Sequence, residues 1–245
     1  MAPYNRRVES RVERLLLELN REFYQSLAEP FADSRPKPQP GVDKELIRVQ
    51  PEQSVLDLGC GHGALAQVLH GQGHRGPYLG LDSTPALLAQ AQASVEHQAA
   101  RFEQVDLAEP GWSEAVEKVD WVFCLATLHH LPGTRRRAWA GELPVCLRPE
   151  TQVVVSVWNF VAEERWRQRV QAWSEVGLED GQVDVGDYLL DWRRGGRGLR
   201  YVHHFNEDEL AELATAAGCQ VTATHYAGGR SGRLNLIQRW QTAVL

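Results

Sequence analysis

The sequence predicts an α/β fold built on a seven-stranded, mostly parallel β-sheet with helices on both faces. Three observations carry this prediction. Short apolar runs alternate with helical segments from residue 51 onward, the first run breaks into a cluster of glycines, and the chain closes on two β-like runs joined by a glycine-rich connection. Such alternation is typical of a parallel sheet, and the closing pair predicts an antiparallel hairpin at the end of the sheet.

Residues 1–50 are predicted to form an N-terminal helical cap and a linker. Apolar residues recur there at helix spacing and predict a helix that reaches about Leu27, on the basis of Val8, Val12, Leu15, Leu16 and Leu19. The next segment, FADSRPKPQPGV, contains three prolines and is predicted to be an extended link without a regular helix. Residues 51–245 are predicted to form the main domain.

The first part of the main domain is predicted to contain five strands and three helices. The strands are the run that opens at Val55, then Tyr78–Leu81, Arg101–Leu107, Val119–Thr127 and Val153–Trp158. The helices follow Gly61 and then occupy Pro85–Ala100 and Arg135–Leu147. A later helix is predicted from its N-cap Asn206 to Ala217, and the closing strands are Gln220–Tyr226 and Leu234–Trp240.

The alternation fails between about residues 159 and 205, which predicts an insertion across the substrate side of the sheet. Trp166, Val170 and Trp173 predict a helix with an aromatic stripe, which packing in the core explains better than a base-stacking platform. The segment GDYLLDWRRGGRG is predicted to be a loop near the mouth of the site.

The glycine cluster lies in VLDLGCGHGA at residues 55–64. A buried strand that ends in glycines lets the backbone approach a ligand, and the following helix presents free N–H groups there. Asp57 can accept hydrogen bonds from the amino group of S-adenosylmethionine, whereas a dinucleotide would place its pyrophosphate beside the same turn. Because Gly59, Gly61 and Ala64 also satisfy the loose dinucleotide pattern, a nicotinamide dehydrogenase is a distant alternative.

Acidic residues end the next two runs as well. Asp82, followed by Ser83, stands where a ribose-binding acid is expected, and Asp106 with Leu107 suits an adenine amino group and ring. The carboxyl ends of parallel strands meet at one edge of the sheet, so these side chains are expected to face one ligand. For any single acid, the alternative is a helix cap or a solvated turn residue. Together they predict S-adenosylmethionine as the cofactor and S-adenosylhomocysteine as the product.

Composition limits the class of protein. No segment approaches the run of about eighteen apolar residues that a membrane helix needs, and the start has no apolar signal region, which predicts a cytoplasmic protein without membrane contact. Four separated cysteines predict neither a disulfide framework nor a metal site. The net charge of −6 argues against nonspecific coating of nucleic acid, although arginines cluster at residues 6–14, 193–200 and 230–239.

The sequence resembles class I S-adenosylmethionine-dependent methyltransferases. More narrowly, it resembles the Trm9-like tRNA wobble-uridine methyltransferases, a group that includes a domain of AlkB homologue 8. The matching pieces are FYQSLAEPFADSRPKPQP, LDLGCGHG, LATLHHL, VSVWNF, GDYLLDW and RYVHHFNEDEL. The sequence departs from that group at Gln39, where tryptophan is usual, and at Asp191, where proline is common.

The resemblance implies a Rossmann-like fold and a set of site residues. The cofactor would be bound by Tyr24, Arg35, Asp57, Gly59, Cys60, Gly61, Gly63, Asp82, Ser83, Asp106, Leu107 and Leu125. Arg35, His129, Arg200 and His203 are the candidate catalytic residues. A carboxylate acceptor is already nucleophilic at neutral pH, so the reaction needs positioning by arginine rather than a general base. The alternatives are a linker role for Arg35 and helix capping for His129 and His130.

Several functions remain open from the sequence. The first is methyl transfer to a carboxylate on a modified wobble uridine of tRNA, and the alternative is methyl transfer to a small-molecule metabolite. A noncatalytic cofactor-binding subunit is disfavoured because Asp57, Gly59, Gly61 and Asp82 are intact. Relatives in the resembled group use a small activator subunit, which is a possible partner here too.

Overall fold

A computed structural model describes residues 9–35, 37–96, 98–114 and 116–242. Its strands are β1 Val55–Leu58, β2 Tyr78–Asp82, β3 Ala100–Gln104, β4 Val119–Leu125, β5 Leu147–Trp158, β6 Val170–Gln171, β7 Asp187–Trp192, β8 Gly198–His203, β9 Cys219–Ala227 and β10 Asn235–Thr242. Seven of them form one sheet in the order β3-β2-β1-β4-β5-β10-β9. The first five pair in parallel, and β10 runs antiparallel to both β5 and β9. The predicted mostly parallel sheet with a closing hairpin is confirmed.

Eight α-helices lie in the described residues: α1 Ser10–Ser26, α2 Ala28–Ser34, α3 Asp43–Leu46, α4 Ala64–Gly71, α5 Pro85–Ser94, α6 Gly133–Glu142, α7 Glu164–Arg167 and α8 Glu207–Ala216. The predicted start of the first helix at Val8, and Arg6 and Arg7 of the N-terminal arginine cluster, lie outside these residues. The α8 helix begins as predicted, because Asn206 Oδ1 accepts a hydrogen bond of 2.8 Å from the backbone N–H of Glu209. None of the described helices is long and apolar enough to cross a bilayer.

Helices cover both faces of the sheet. Neighbouring residues of β1 point to opposite sides, so Leu56 packs with Trp139 of α6 and Leu210 of α8, while Val55 packs with Leu65 of α4. All four residues of β1 are buried. A strand covered on both faces reads as a continuous apolar run, which is why it was visible in the sequence.

The linker expectation was wrong at its start. Residues 31–34 of the predicted extended link belong to helix α2, Ala28–Ser34. Pro30 is tolerated there because it occupies the first turn, where its missing N–H removes no helical hydrogen bond. The helix ends at Ser34, one residue before Arg35, whose conformation is restricted by the proline that follows it in the sequence.

The insertion prediction was wrong in its internal structure. Residues 170–203 contain a three-stranded antiparallel sheet, β6-β7-β8, and β7 replaces the first part of the predicted loop. The predicted aromatic helix is divided, because Trp166 lies in α7 and Val170 in β6. Leu189 of β7 and Tyr201 of β8 pack on Val12 and Leu16 of α1. Because the other face of the small sheet packs on Trp158, both faces are covered and the apolar residues do not alternate cleanly. Residues 193–197 are a loop, as predicted.

The cap helix α1 lies on β8 and extends over the carboxyl edge of the main sheet. Its buried side, which includes Leu16 and Phe23, packs on the insertion. Leu17, Asn20, Arg21 and Tyr24 recur at helix spacing on another side of α1 and line a cavity at that edge. The division into a cap at residues 1–50 and a main domain at 51–245 stays a prediction.

Candidate active site

The cavity lies at the carboxyl ends of β1, β2 and β4 and has a volume of about 210 Å³. Open α/β sheets bind ligands at this edge. The predicted site residues that line it are Tyr24, Arg35, Asp57, Gly59, Cys60, Gly61, Asp82, Ser83, Asp106, Leu107 and Leu125. Of the other predicted residues, Gly63, His129, Arg200 and His203 are absent from the cavity wall formed by the described residues.

The glycine turn brings backbone to the cavity wall in a left-handed conformation that favours glycine. Gly59 has a φ of 80°, and a Cβ there would lie 2.1 Å from the hydroxyl oxygen of Thr127. Gly61 has a φ of 54°, and its Cβ would meet open space. Gly63 serves the packing of α4 instead, because a Cβ there would contact Val95 at 2.9 Å.

Asp57 is the most buried acid of the cavity wall. Its carboxylate accepts a hydrogen bond of 2.5 Å from the hydroxyl of Tyr78, a residue that the sequence analysis did not single out. Burial raises the pKa of Asp57 to about 7, and the neighbouring charge of Asp82 also raises it, while the Tyr78 hydrogen bond lowers it. A positively charged amino group would favour the ionised form of this carboxylate.

Asp82 holds the turn and faces the cavity at the same time. One carboxylate oxygen accepts from the N–H of Gly61 at 2.9 Å, and the other accepts from the N–H of Thr84 at 2.8 Å. Burial raises the pKa of Asp82, and these backbone hydrogen bonds lower it. Each oxygen keeps a second lone pair for a ribose hydroxyl. The capping role and the ligand-facing role are therefore compatible.

Asp106 is tied to the cap helix. Its carboxylate accepts from the N–H of Ala108 at 2.9 Å and from Arg21 Nη2 at 3.1 Å. Arg21 is one turn before Tyr24 on α1, so its helix position could have identified it as a site residue. Cys60 also lines the wall, but burial raises its thiol pKa well above the ordinary value, which disfavours a nucleophilic role.

A hydrogen-bonded chain crosses the wall beside α1. The Tyr24 hydroxyl donates to His130 Nε2 at 2.7 Å, and His130 Nδ1 donates to the backbone carbonyl of Tyr201 at 3.0 Å. Burial, and then the charge of Arg200, lower the pKa of His130 to about 3, so the ring is neutral. The sequence indicated the pair at residues 129 and 130, but only His129 was predicted to be a catalytic residue.

Arg35 and Arg200 form a second feature of the site, which we call the arginine cage. The Arg200 guanidinium lies 4.8 Å from the centre of the Trp158 ring and 5.5 Å from that of Trp192. Arg35, which lines the cavity, lies 5.7 Å from the same Trp158 ring. Neither guanidinium has a carboxylate partner among the described residues.

Burial and the mutual repulsion of the arginine cage disfavour its charge. Burial, followed by the charge of Arg200, lowers the pKa of Arg35 to about 10. Arg200 is only 2% exposed, and burial lowers its pKa too. A buried and a half-buried cation side by side are stabilised by an anion, so the arginine cage is suited to bind a negatively charged group.

The expected catalytic roles of two histidines do not agree with their positions. His129 is buried, and its Nδ1 accepts a hydrogen bond of 3.3 Å from the N–H of Trp158. His203 has no exposed surface and lies between Asp187 at 2.6 Å and Glu209 at 2.8 Å. Because both ring nitrogens of His203 have protein partners, it joins the insertion to α8 rather than facing the cavity. Asp187, which lies in the segment predicted to be a loop near the mouth of the site, belongs to the same buried network.

The residues of the wall fit S-adenosylmethionine. Asp57, Asp82 and Asp106 offer carboxylate oxygens at the ends of successive strands, and Gly61 leaves open space beside them. Tyr24 and Arg21 contribute from the cap, while Leu107 and Leu125 supply apolar wall. The part of the chain that the structure describes contains no cluster of three or more His, Cys, Asp or Glu side chains able to hold a metal.

Comparisons with known sequences agree with this geometry. Residues 4–224 match the methyltransferase domain family. The trans-aconitate 2-methyltransferase of Shigella dysenteriae is 32% identical over 219 residues, which cover 87% of this chain and 75% of that enzyme. The trans-aconitate 2-methyltransferase of Deinococcus radiodurans is 36% identical over 117 residues, which cover 46% of this chain and only 43% of that enzyme.

Solved structures share the fold at low sequence identity. Magnesium protoporphyrin IX methyltransferase from Synechocystis, solved with bound SAH, has a TM-score of 0.65 at 17% identity, over 93% of this chain and 99% of that chain. A Haloferax volcanii methyltransferase in complex with the Trm112 activator has a TM-score of 0.64 at 16% identity, over 93% of this chain and 98% of that chain.

The predicted class I fold and cofactor are confirmed, whereas the narrower tRNA-modifying group is not shown. The family match covers most of the chain and agrees with the acid-bordered glycine turn. The chain therefore belongs to the methyltransferase domain family and is an S-adenosylmethionine-dependent enzyme.

Proposed function

We propose that the protein transfers a methyl group to a carboxylate oxygen of a small organic acid. The observation that carries this proposal is the arginine cage, in which the buried Arg200 and the half-buried Arg35 have no carboxylate partner among the described residues. A carboxylate entering the cavity beside Arg35 would supply the missing anion. Relatives named trans-aconitate 2-methyltransferase favour the same class of acceptor.

Transfer to tRNA is the second candidate. The exposed arginines of the loop at residues 193–197 favour it, because cations at a site mouth attract phosphate. The net charge of −6 and the burial of Arg200 favour a small acid instead. A small activator subunit stays a prediction for either acceptor.

The proposed mechanism relies on positioning. When bound, S-adenosylmethionine supplies a methyl group on a sulfonium that is already an activated leaving group. Arg35 would hold the acceptor carboxylate so that one oxygen faces the methyl carbon. No general base is required because a carboxylate is ionised at neutral pH. Burial raises the pKa of Tyr24, and the adjacent His130 is neutral, so the Tyr24 phenol stays protonated. Tyr24 therefore acts as a hydrogen-bond donor and a steric wall.

The direct test is transfer of labelled methyl from S-adenosylmethionine to trans-aconitate, citrate, fumarate and, separately, total tRNA. We expect label in at least one acid, released as methanol by mild alkali because the product is a methyl ester. Label only in tRNA, or alkali-stable label in the acids, would contradict the proposal.

Variants separate acceptor binding from cofactor binding. Arg35→Ala is expected to lower kcat/KM for the acid by about 100-fold while binding of S-adenosylhomocysteine changes little, since a charge-assisted contact is worth roughly 1.5–3 kcal/mol. Arg167→Ala is the matched control, because that arginine is exposed and pairs with Glu164 outside the cavity. Equal loss of S-adenosylhomocysteine binding in Arg35→Ala would make Arg35 a cofactor residue instead.

A further inference from the structure

Gln39 carries a buried hydrogen-bond donor that no described residue engages. The residue lines the cavity, and its Nε2 atom is buried without a partner among the described residues. Leaving a buried amide donor unpaired costs about 1–3 kcal/mol, so such groups are usually satisfied or reserved for a ligand. Unlike the donors of the arginine cage, the Gln39 donor is neutral.

The Gln39 amide is hydrogen-bonded to Ser156 of β5. The Ser156 hydroxyl donates to Gln39 Oε1, and its oxygen accepts from the backbone N–H of Ala126 at 3.2 Å. With Oε1 engaged in this way, the two N–H bonds of Nε2 are left for the cavity.

The segment that carries Gln39 is held rigidly. Pro38 and Pro40 flank the residue and restrict the backbone. Gly41 has a φ of 96° and lies so close to Ala227 of β9 that a Cβ would be only 2.4 Å away. Its carbonyl also accepts from His225 Nε2 at 3.2 Å. A donor fixed in place by its scaffold can select a ligand without first being ordered.

Gln39 and the arginine cage rest on the same face of β5. Ser156 supports Gln39, and Trp158, two residues later, lies against both guanidiniums. Residues two apart on a strand share a face and are about 7 Å apart. A short acid with a second oxygen-bearing group could therefore reach both features.

We propose that Gln39 determines acceptor specificity by donating a hydrogen bond from Nε2 to a second carboxylate or carbonyl group of the acid. This inference rests on the proposed function, in which the first carboxylate binds beside Arg35. It predicts that dicarboxylates and tricarboxylates are preferred over monocarboxylates of the same shape, because only the former can accept the Gln39 hydrogen bond.

Fumarate and crotonate are suitable test ligands, because crotonate has a methyl group where fumarate has its second carboxylate. Both are measured as competitors of methyl transfer to the best acid of the panel, with the wild type and with Gln39→Met, Gln39→Glu and the exposed control Gln168→Met. The wild type and the control are expected to bind fumarate about 10- to 100-fold more tightly than crotonate. Gln39→Met should lose most of this ratio, and Gln39→Glu should lose more because its charge repels the second carboxylate.

Three results would overturn the inference, and they are distinguishable. An unchanged fumarate-to-crotonate ratio in Gln39→Met would remove Gln39 from acceptor selection while leaving the acid methyltransferase proposal intact. Loss of S-adenosylhomocysteine binding or of thermal stability in both Gln39 variants would make the residue structural. Absence of label in every acid, with the wild type, would instead overturn the proposed function on which the inference depends.

Discussion

The two sides of the cavity are built in different ways. The cofactor side consists of backbone turns and acids that satisfy one another locally, as when Asp82 accepts from Gly61 and Thr84. The acceptor side consists of side chains from distant segments, with Arg35 from the linker and Arg200 from the insertion around Trp158 of β5. Its cations have no internal counter-ion among the described residues. The polar groups of the cofactor side thus have hydrogen-bond partners within the protein. On our proposal, the cations of the acceptor side gain their counter-ion from the bound ligand.

Gly59→Ala should have the largest effect and should act on the cofactor side alone. The new Cβ would collide with Thr127 and would force an alanine into a left-handed backbone conformation, which costs about 1–2 kcal/mol before the collision is counted. We expect binding of S-adenosylmethionine, measured by isothermal titration, to weaken by more than about 100-fold.

Gly73→Ala is the matched control for Gly59→Ala. Gly73 has a similar φ of 90°, but its Cβ would meet no atom, so it tests backbone strain without a collision. Gly73→Ala should keep wild-type affinity for the cofactor. If both variants lost affinity equally, the close approach of Thr127 to the turn would not be the reason that glycine is required at residue 59.

Two buried arginines offer the next test, because one is paired and the other is not. Arg136 lies 3.4 Å from Asp184 and 3.8 Å from Asp187, whereas Arg200 has no carboxylate partner among the described residues. Arg136→Met should lower the free energy of unfolding by about 3–5 kcal/mol, since it leaves buried carboxylates without their cation. Arg200→Met should lower it by less than about 1 kcal/mol, because it leaves no buried carboxylate without its cation.

Urea denaturation of the two methionine variants measures this difference. Acid methylation by Arg200→Met should nevertheless fall by about 100-fold, since the arginine cage loses half its charge. A large loss of stability in Arg200→Met would show that Arg200 holds the fold together and that the acceptor side is not completed by its ligand.

Part of the fold and of the site could be predicted from the sequence. The turn at Gly59, the acids at Asp57 and Asp82, and the strands that carry them follow from local patterns, and the structure places them on one wall. The small sheet of the insertion was missed because both of its faces are covered. His130 and Gln39 were not recognised as site residues because their partners, Tyr201 and Ser156, are distant in sequence and only the fold brings them together.

The pH dependence of cofactor binding tests Asp57. Its pKa of about 7 in the folded protein lies above its unfolded value of about 3.9, so the protonated form stabilises the fold at low pH and this contribution is lost as pH rises to about 7. Cofactor binding should run the opposite way, because the ionised carboxylate is the better partner for an amino group. We expect affinity to be about 10-fold weaker at pH 6 than at pH 8.

Asp57→Asn should bind the cofactor more weakly than the wild type. It should also lose the part of the pH dependence that comes from ionisation of Asp57. Tyr78→Phe should shift the transition to higher pH, because the Tyr78 hydroxyl lowers the pKa of Asp57. Parallel titrations of wild type and Asp57→Asn isolate this contribution from ionisation of the ligand itself. The same pH profile in both proteins would exclude Asp57 as the titrating group.

Tyr24→Phe should have the smallest effect, because Tyr24 lies where the two sides of the cavity meet. The ring and its edge contact with Phe23 at 5.1 Å are kept, while the hydroxyl that donates to His130 is removed. Loss of one partly buried hydrogen bond costs about 1 kcal/mol, so kcat/KM for the acid should fall by roughly 5- to 10-fold. Isothermal titration should show S-adenosylhomocysteine affinity within about twofold of wild type, since the phenol contacts Arg200 and His130 rather than the glycine turn. A larger loss in cofactor affinity than in acid turnover would place the hydroxyl on the cofactor side and move the boundary between the two sides of the cavity.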